Sequence, residues 1–362
     1  MNRVINRLIL ATMVFSVFGC ACTSTSRSDF EENLNDKSDV YRILYYASLA
    51  GNSHNTQPWK VKVFDENTIE VYADTLRHLK IVDPTRRGLF ISLGAFIENI
   101  NLAAGSLGYS TVIAIKAEKP TDTLAAIIKL SKTEKTNFNL VDLENRKTTR
   151  IPFESRPINE NELKLITEDF ANVKFIPADS DNGKYISTKT LEAYTQQANN
   201  EDAKNELATW IHFSNTDVKN NRDGLTTGGM GIKGFGGFMV RNFFNPDDSK
   251  KQSFVDKGVD KTEAQVDNCA GWILISQTED TPVNWINTGR IYERINITCS
   301  KHGIGFHPMN QMIEERNFEI EANKTLAPLG IVQFVARIGY LTNLPKSYSV
   351  RISVSKFAEF NK

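Results

Sequence analysis

Cysteine is scarce in this chain, and its spacing excludes more than its number does. Of four cysteines, Cys20 and Cys22 fall in the opening segment and only Cys269 and Cys299 remain in the body, with no C-x-x-C and no metal-ligand spacing. A zinc site or a dithiol centre is therefore not indicated. The two body cysteines read as buried small residues, and one disulfide between them stays open in an exported chain. An excess of one charge is missing too. Lys plus Arg and Asp plus Glu stand at 43 each, so no global field gathers nucleic acid, and no dense basic run with interleaved aromatics occurs. His212, Ser214 and Asp217 lie close in sequence but no G-x-S-x-G elbow accompanies them, which leaves a hydrolase triad unsupported. Six glycines crowd into residues 228–237 without following a strand as a dinucleotide fingerprint would.

What is present begins with a leader. Arg3 and Arg7 precede an apolar run from Leu8 to Phe18 that is too short for a permanent transmembrane helix, the pattern of a signal peptide over residues 1–20. Val17-Phe18-Gly19-Cys20 then resembles a bacterial lipobox, which implies acylation of Cys20 and an exported, membrane-anchored chain on the periplasmic or cell-surface side. A plain secretory signal is the alternative. Residues 21–38, polar and rich in Ser, Asp and Asn, read as a flexible tether. The 362-residue length and 40% hydrophobic content suffice for one large or two ordinary domains. Residues 246–263 are polar enough to be disordered.

The densest chemistry lies in Ser53-His54-Asn55-Thr56-Gln57-Pro58-Trp59. It follows a stretch with Val40, Ile43, Leu44 and Ala47 at helical spacing and precedes Val61 and Val63, which alternate with lysines as in a strand. Asn55 and Gln57 each carry a donor and an acceptor, suited to the alternating edge of a planar heterocycle, while Pro58 stiffens the exit and Trp59 anchors it. An ordinary polar loop would share this composition. Helix, polar turn and strand in this wording resemble the nitroreductase superfamily of FMN enzymes, most closely its Acg-type single-chain oxidoreductases, from about Asp39 to about Tyr340.

That resemblance implies an α+β, nitroreductase-like fold built as two tandem unequal halves, residues 39–145 and 146–362, which form a pseudo-dimer in one chain. Leu89 to Gly108, with Gly94-Ala95 for close packing and Gly108 as a stop, and Trp285 to Gly303, with Gly289, resemble the superfamily's central helix twice over. The ring-contacting loop stands in the first half, with Asn52, Ser53, His54, Asn55 and Gln57 as implied FMN contacts. Asn52 stands where relatives carry Ser. The second half opens on Arg146-Lys147-Thr148-Thr149-Arg150, where Arg146, Thr148 and Arg150 supply directional donors for a phosphate; a solvated basic turn is the plain alternative.

Further contacts follow from the same likeness. Gly305 and His307 lie in the turn expected near the flavin's reactive face, where His307 is either a contact or a structural turn residue. Arg337, inside the apolar strand 330–340, requires a partner: the FMN phosphate by resemblance, or an internal carboxylate. Asp83-Pro84-Thr85-Arg86-Arg87 is expected to cap and orient the helix after it, with salt bridges to Asp83 and the arginines. Residues 228–237 read as a mobile apolar lid over a planar ligand, or as a surface loop. The implied partners are FMN and a small-molecule electron donor and acceptor, with hydride passing from NAD(P)H or another donor to a nitroaromatic or quinone. A flavin-storage protein with little turnover, and a lipoprotein that keeps the fold without flavin, remain the other readings.

Overall fold

A computed structural model describes residues 23–343 and 345–361; the leader and Cys20 lie outside the described residues. The chain is α+β, as expected. Strands β1 (Trp59–Asp65), β2 (Thr68–Ala73), β3 (Tyr109–Ile115) and β4 (Leu124–Lys132) come from the first half. Strands β5 (Val173–Pro177), β6 (Ile211–His212), β7 (Leu225–Thr226), β8 (Gly271–Gln277), β9 (Ile304–Pro308), β10 (Ile331–Tyr340) and β11 (Ala358–Phe360) come from the second. One sheet runs β11-β1-β2-β4-β3 and another β5-β8-β10-β9, with β6 and β7 as a small parallel pair. Each large sheet thus belongs to one half of the chain, except that β11 returns to pair in parallel with β1, Val61 opposite Ala358.

Two long helices, Arg87–Leu107 and Pro282–Lys301, pack against each other at the centre. Their closest approach is set by the absence of side chains. A Cβ on Gly94 would sit 2.1 Å from the Ile286 carbonyl oxygen, and one on Gly289 would sit 2.0 Å from that of Ile91. The two glycines singled out by sequence therefore face each other across one crossing, where no larger residue fits. Beside them Glu98, fully buried, is paired with Arg290 at 2.8 Å and Arg294 at 2.6 Å. The first helix ends at Gly108, whose φ of +87° suits a residue without a Cβ. At its other end Asp83 accepts from the Gly88 and Leu89 backbone N–H groups at 3.0 and 2.9 Å, the capping role expected.

Three expectations change. Residues 246–263 are ordered, as a turn at Pro246–Lys250 and the helix Gln252–Val266, because Val255, Thr262, Gln265 and Val266 make a buried face against the helix Asp181–Asn199. Gly305, His307 and Pro308 lie within β9 rather than in a turn. From residue 23 onward the supposed tether is docked: the Thr25 N–H donates to Asn215 Oδ1 at 3.0 Å, the Arg27 N–H to the Ser347 carbonyl at 3.0 Å, and Phe30 stacks under Arg222. Polar composition did not prevent docking, since the segment's backbone groups found partners on the body. Cys269 and Cys299 are both buried and both free.

Candidate functional site

The heptapeptide that opens at Ser53 follows the helix Asp39–Ser48 and turns sharply before β1. His54, Asn55 and Gln57 hold φ values of +49°, +56° and +52°, a cluster of left-handed residues that only Asn tolerates readily. Such strain persists where surroundings over-determine it. Asn52 staples the turn from within, accepting the Gln57 N–H at 2.8 Å and donating to the Ala50 carbonyl at 3.0 Å. Ser53 holds it from outside, its N–H donating to Ser92 Oγ at 3.2 Å.

The main clamp is a residue that sequence reading missed. Arg351, 5% exposed, donates to the carbonyls of Ser48, Leu49 (3.0 Å) and Ala50 (3.1 Å) and to Asn55 Oδ1 at 2.8 Å. A guanidinium thus satisfies the orphan carbonyls at the helix end and fixes the loop that follows. The same C-terminal segment occupies the loop's amides. Asn55 Nδ2 donates to the Val350 carbonyl at 3.1 Å, Gln57 Oε1 accepts from the Ile352 N–H at 2.9 Å, and Gln57 Nε2 donates to the Arg222 carbonyl at 2.9 Å. The donor and acceptor functions expected to meet a ring edge are instead committed to the protein's own backbone.

Next to this loop lies an open cleft in two adjoining parts, about 500 and 370 Å³ counting their mouths. Arg146, Thr148, Arg150, Gly229 and Ser349 line both parts. Arg27, Lys147, Lys233 and Lys346 complete the cations of the first and Arg351 joins in the second, yet among the described residues no aspartate or glutamate lines either. In a chain of zero formal net charge, seven cations converge on one cleft without a carboxylate. Behind Arg146 stands Glu293, fully buried, with Oε1 3.0 Å from Arg146 Nε and accepting the Gly51 N–H at 3.2 Å. Arg146 is therefore partly neutralised and also donates to the Leu49 carbonyl at 3.0 Å. Arg150 is not. It is half-buried, donates to the Gly229 carbonyl at 3.1 Å, and forms no ion pair among the described residues. Burial presses its pKa down, an unfavourable state for a cation that an anion would relieve.

Of the expected site residues, Asn52, Asn55, Arg146, Thr148 and Arg150 line the cleft. The loop and the arginine motif, ninety residues apart in sequence, meet as anticipated. The others do not line it. His54 is half-buried, and burial followed by the Arg150 charge holds it down to about 4. Gly305 gives room to a ring, since a Cβ there would lie 2.4 Å from Phe153. Arg337, with no exposed surface, donates to His307 Nδ1 at 3.1 Å, to the Asn268 carbonyl at 3.3 Å and to the Ile151 carbonyl at 2.7 Å, and lies 3.9 Å over the Phe153 ring. Its partners thus include no carboxylate, and Arg337 does not itself line the cleft. Burial and the neighbouring Arg337, Arg150 and Lys261 charges keep His307 neutral, consistent with Nδ1 acting as an acceptor.

Arg27, Lys233, Lys346 and Arg351 were invisible to motif reading because they come from three segments that meet only in the fold. The alternation Lys346-Ser347-Tyr348-Ser349-Val350-Arg351, polar and basic after a buried strand, was the available signal. Gly228, Gly229 and Gly231 of the glycine-rich segment do line the cleft, and the segment continues as the helix Gly234–Phe243.

No protein-family model matches the chain, and no curated protein matches it. Among solved structures it is similar to a nitroreductase-like family protein from Bacillus cereus, with 10% identity and a TM-score of 0.34, over 64% of this chain and 100% of that one. It is also similar to a putative nitroreductase from Anabaena variabilis, with 12% identity and a TM-score of 0.31, over 84% of this chain and 73% of that one. Likenesses at this level assign neither ligand nor activity.

Proposed function

We propose that the cleft binds the phosphate of FMN and that the protein is a nitroreductase-like flavin oxidoreductase, exported and anchored through Cys20. The observation that carries this reading is the convergence of Arg146, Arg150, Arg351, Lys346 and their neighbours on a cleft lined by no acid. A phosphate dianion fits that donor set: guanidinium N–H groups and the Thr148 hydroxyl offer charge-assisted bonds in a partly desolvated place. Bound there, FMN would supply the hydride and electron transfer, and the chain itself would need no nucleophile.

The residues divide the remaining work. Arg150 and Thr148 bind the anion, Arg146 is set in place by Glu293, and Arg351 orients the Asn52–Gln57 loop. The ring edge fits less well than the phosphate, because the Asn55 and Gln57 amides are satisfied by Val350, Ile352, Arg222 and Arg351. That commitment favours a second reading, a flavin-holding protein with little turnover. Two measurements separate these readings. A visible spectrum of the purified full chain tests flavin binding, and a colourless protein that FMN does not turn yellow would reject both. Anaerobic mixing with NADPH then distinguishes rapid bleaching, expected for a reductase, from a persistent yellow colour, expected for storage.

A further inference from the structure

The helix Gly234–Phe243 is the most unusual surface of the molecule. Gly237, Val240 and Arg241 face inward, Val240 packing near Ile211 and Phe213. Outward, Phe235, Met239 and Phe243 recur four residues apart and are 79%, 36% and 66% exposed, with Phe244 at 38% following the helix. The rings associate with one another, Phe235 with Phe238 at 6.4 Å and Phe238 with Phe243 at 6.2 Å, rather than folding back onto the body. Two largely bare phenylalanines alone present apolar area on the order of 300 Å², comparable with the largest apolar patch of a typical monomer, which is often functional.

What covers this face follows from where the chain enters it. Arg241 Nη1 donates to Ser24 Oγ at 2.8 Å, and Asn215 holds the same segment, donating to the Thr23 carbonyl at 2.9 Å and accepting from the Thr25 N–H at 3.0 Å. The described chain therefore begins against this helix. Cys20 precedes Ser24 by four residues, which reach at most about 14 Å even when fully extended. A bilayer that holds an acyl chain at Cys20 would lie within that distance of the Ser24 contact, with no long spacer between.

We propose that the Gly234–Phe243 helix is a second membrane contact, lying in the lipid interface with Phe235, Met239 and Phe243 in the acyl boundary. This rests on the reading of Cys20 as a lipid anchor. An acylated Cys20 would hold the chain at the bilayer, and an apolar helix face within that reach can then enter the interface. The contact would set the cleft beside the membrane, since Gly228, Gly229 and Gly231 line the cleft and their segment leads into this helix.

The test uses the full chain in vesicles of phosphatidylcholine and phosphatidylglycerol, with Phe235→Trp and Phe243→Trp variants measured against wild type. Val112→Trp, at a 69% exposed position on β3, is the solvent reference. Acyl-brominated lipid should abolish most of the emission added at residues 235 and 243 while aqueous iodide leaves it, with the opposite pattern at residue 112. Flotation in the same samples reports the anchor. A chain that does not float overturns the anchor reading; a chain that floats while residues 235 and 243 respond to iodide and not to bromine overturns the helix proposal alone. Protection from both quenchers would assign the face to a second copy, and would also overturn it.

Discussion

Arg150 offers the cleanest perturbation of the cleft, because the structure gives it little else to do. It makes one carbonyl bond, to Gly229, and carries no internal ion pair among the described residues, so Arg150→Gln should leave stability nearly unchanged. An arginine bonded to a phosphate contributes about 1.5–3 kcal/mol. At 1.36 kcal/mol per decade that is roughly a 10- to 150-fold rise in Kd. The assay is titration of FMN into the purified full chain, followed by loss of flavin fluorescence, with a urea midpoint measured in parallel. Arg150→Lys, which keeps the charge but not the planar fork, should fall between the two. Arg337→Gln is the contrasting case: it removes a stacked, fully buried group with three bonds, so any loss of FMN there should accompany a lowered urea midpoint. An unchanged Kd for Arg150→Gln with an unchanged midpoint would refute the phosphate assignment.

Gly94→Ala should destabilise by about 1–3 kcal/mol or more, because its Cβ would meet the Ile286 carbonyl 2.1 Å away, whereas Gly236→Ala, with nothing within 4 Å, should be neutral or slightly stabilising; urea midpoints compare the two. Arg351→Ala should cost about 3 kcal/mol and release the loop, read as faster amide hydrogen exchange across residues 51–58, and unchanged exchange would remove Arg351 from its clamping role. Acidification gives a third check. The folded pKa of His54 is pushed from 6.5 to about 4, so its contribution to stability is complete above pH 6.5 and is lost as the pH falls from there toward 4. Burial raises Glu314 from 4.5 to about 7, which acts oppositely: its contribution is complete below pH 4.5 and is lost as the pH rises through 7. The His54→Asn variant, acceptable to a left-handed φ, should therefore flatten the acid limb between pH 6.5 and 4 in urea titrations, with the Glu314 effect left in place.

Much of the scaffold was legible before folding because it rests on local rules. The spacing of Val40, Ile43, Leu44 and Ala47, the valine and lysine alternation after Trp59, and Gly108 as a stop are consequences of helix and strand periodicity and of backbone sterics, and each element appears where the pattern put it. Gly94 and Gly289 were likewise recognisable as sites of close packing, although their meeting across one helix crossing is a tertiary fact. The meeting of the Asn52–Gln57 loop with Arg146, Thr148 and Arg150 was anticipated through a resemblance, not from periodicity.

Composition misled at residues 23–30 and 246–263, where polar segments proved docked or helical. Polarity describes a chain's average interaction with water, not the particular partners that Asn215, Ser347 or the helix Asp181–Asn199 provide. The sequence by itself determined which segments are helices and strands and which short motifs carry donors, since those depend on neighbours within a few positions. Only the tertiary structure decided that Arg27, Lys233, Lys346 and Arg351 join the arginine motif, that Arg337 faces His307 and Phe153, and that the Asn55 and Gln57 amides are already satisfied. Hydrogen-bond commitment and charge convergence depend on distances of a few ångströms between residues up to three hundred positions apart, and no local pattern encodes them.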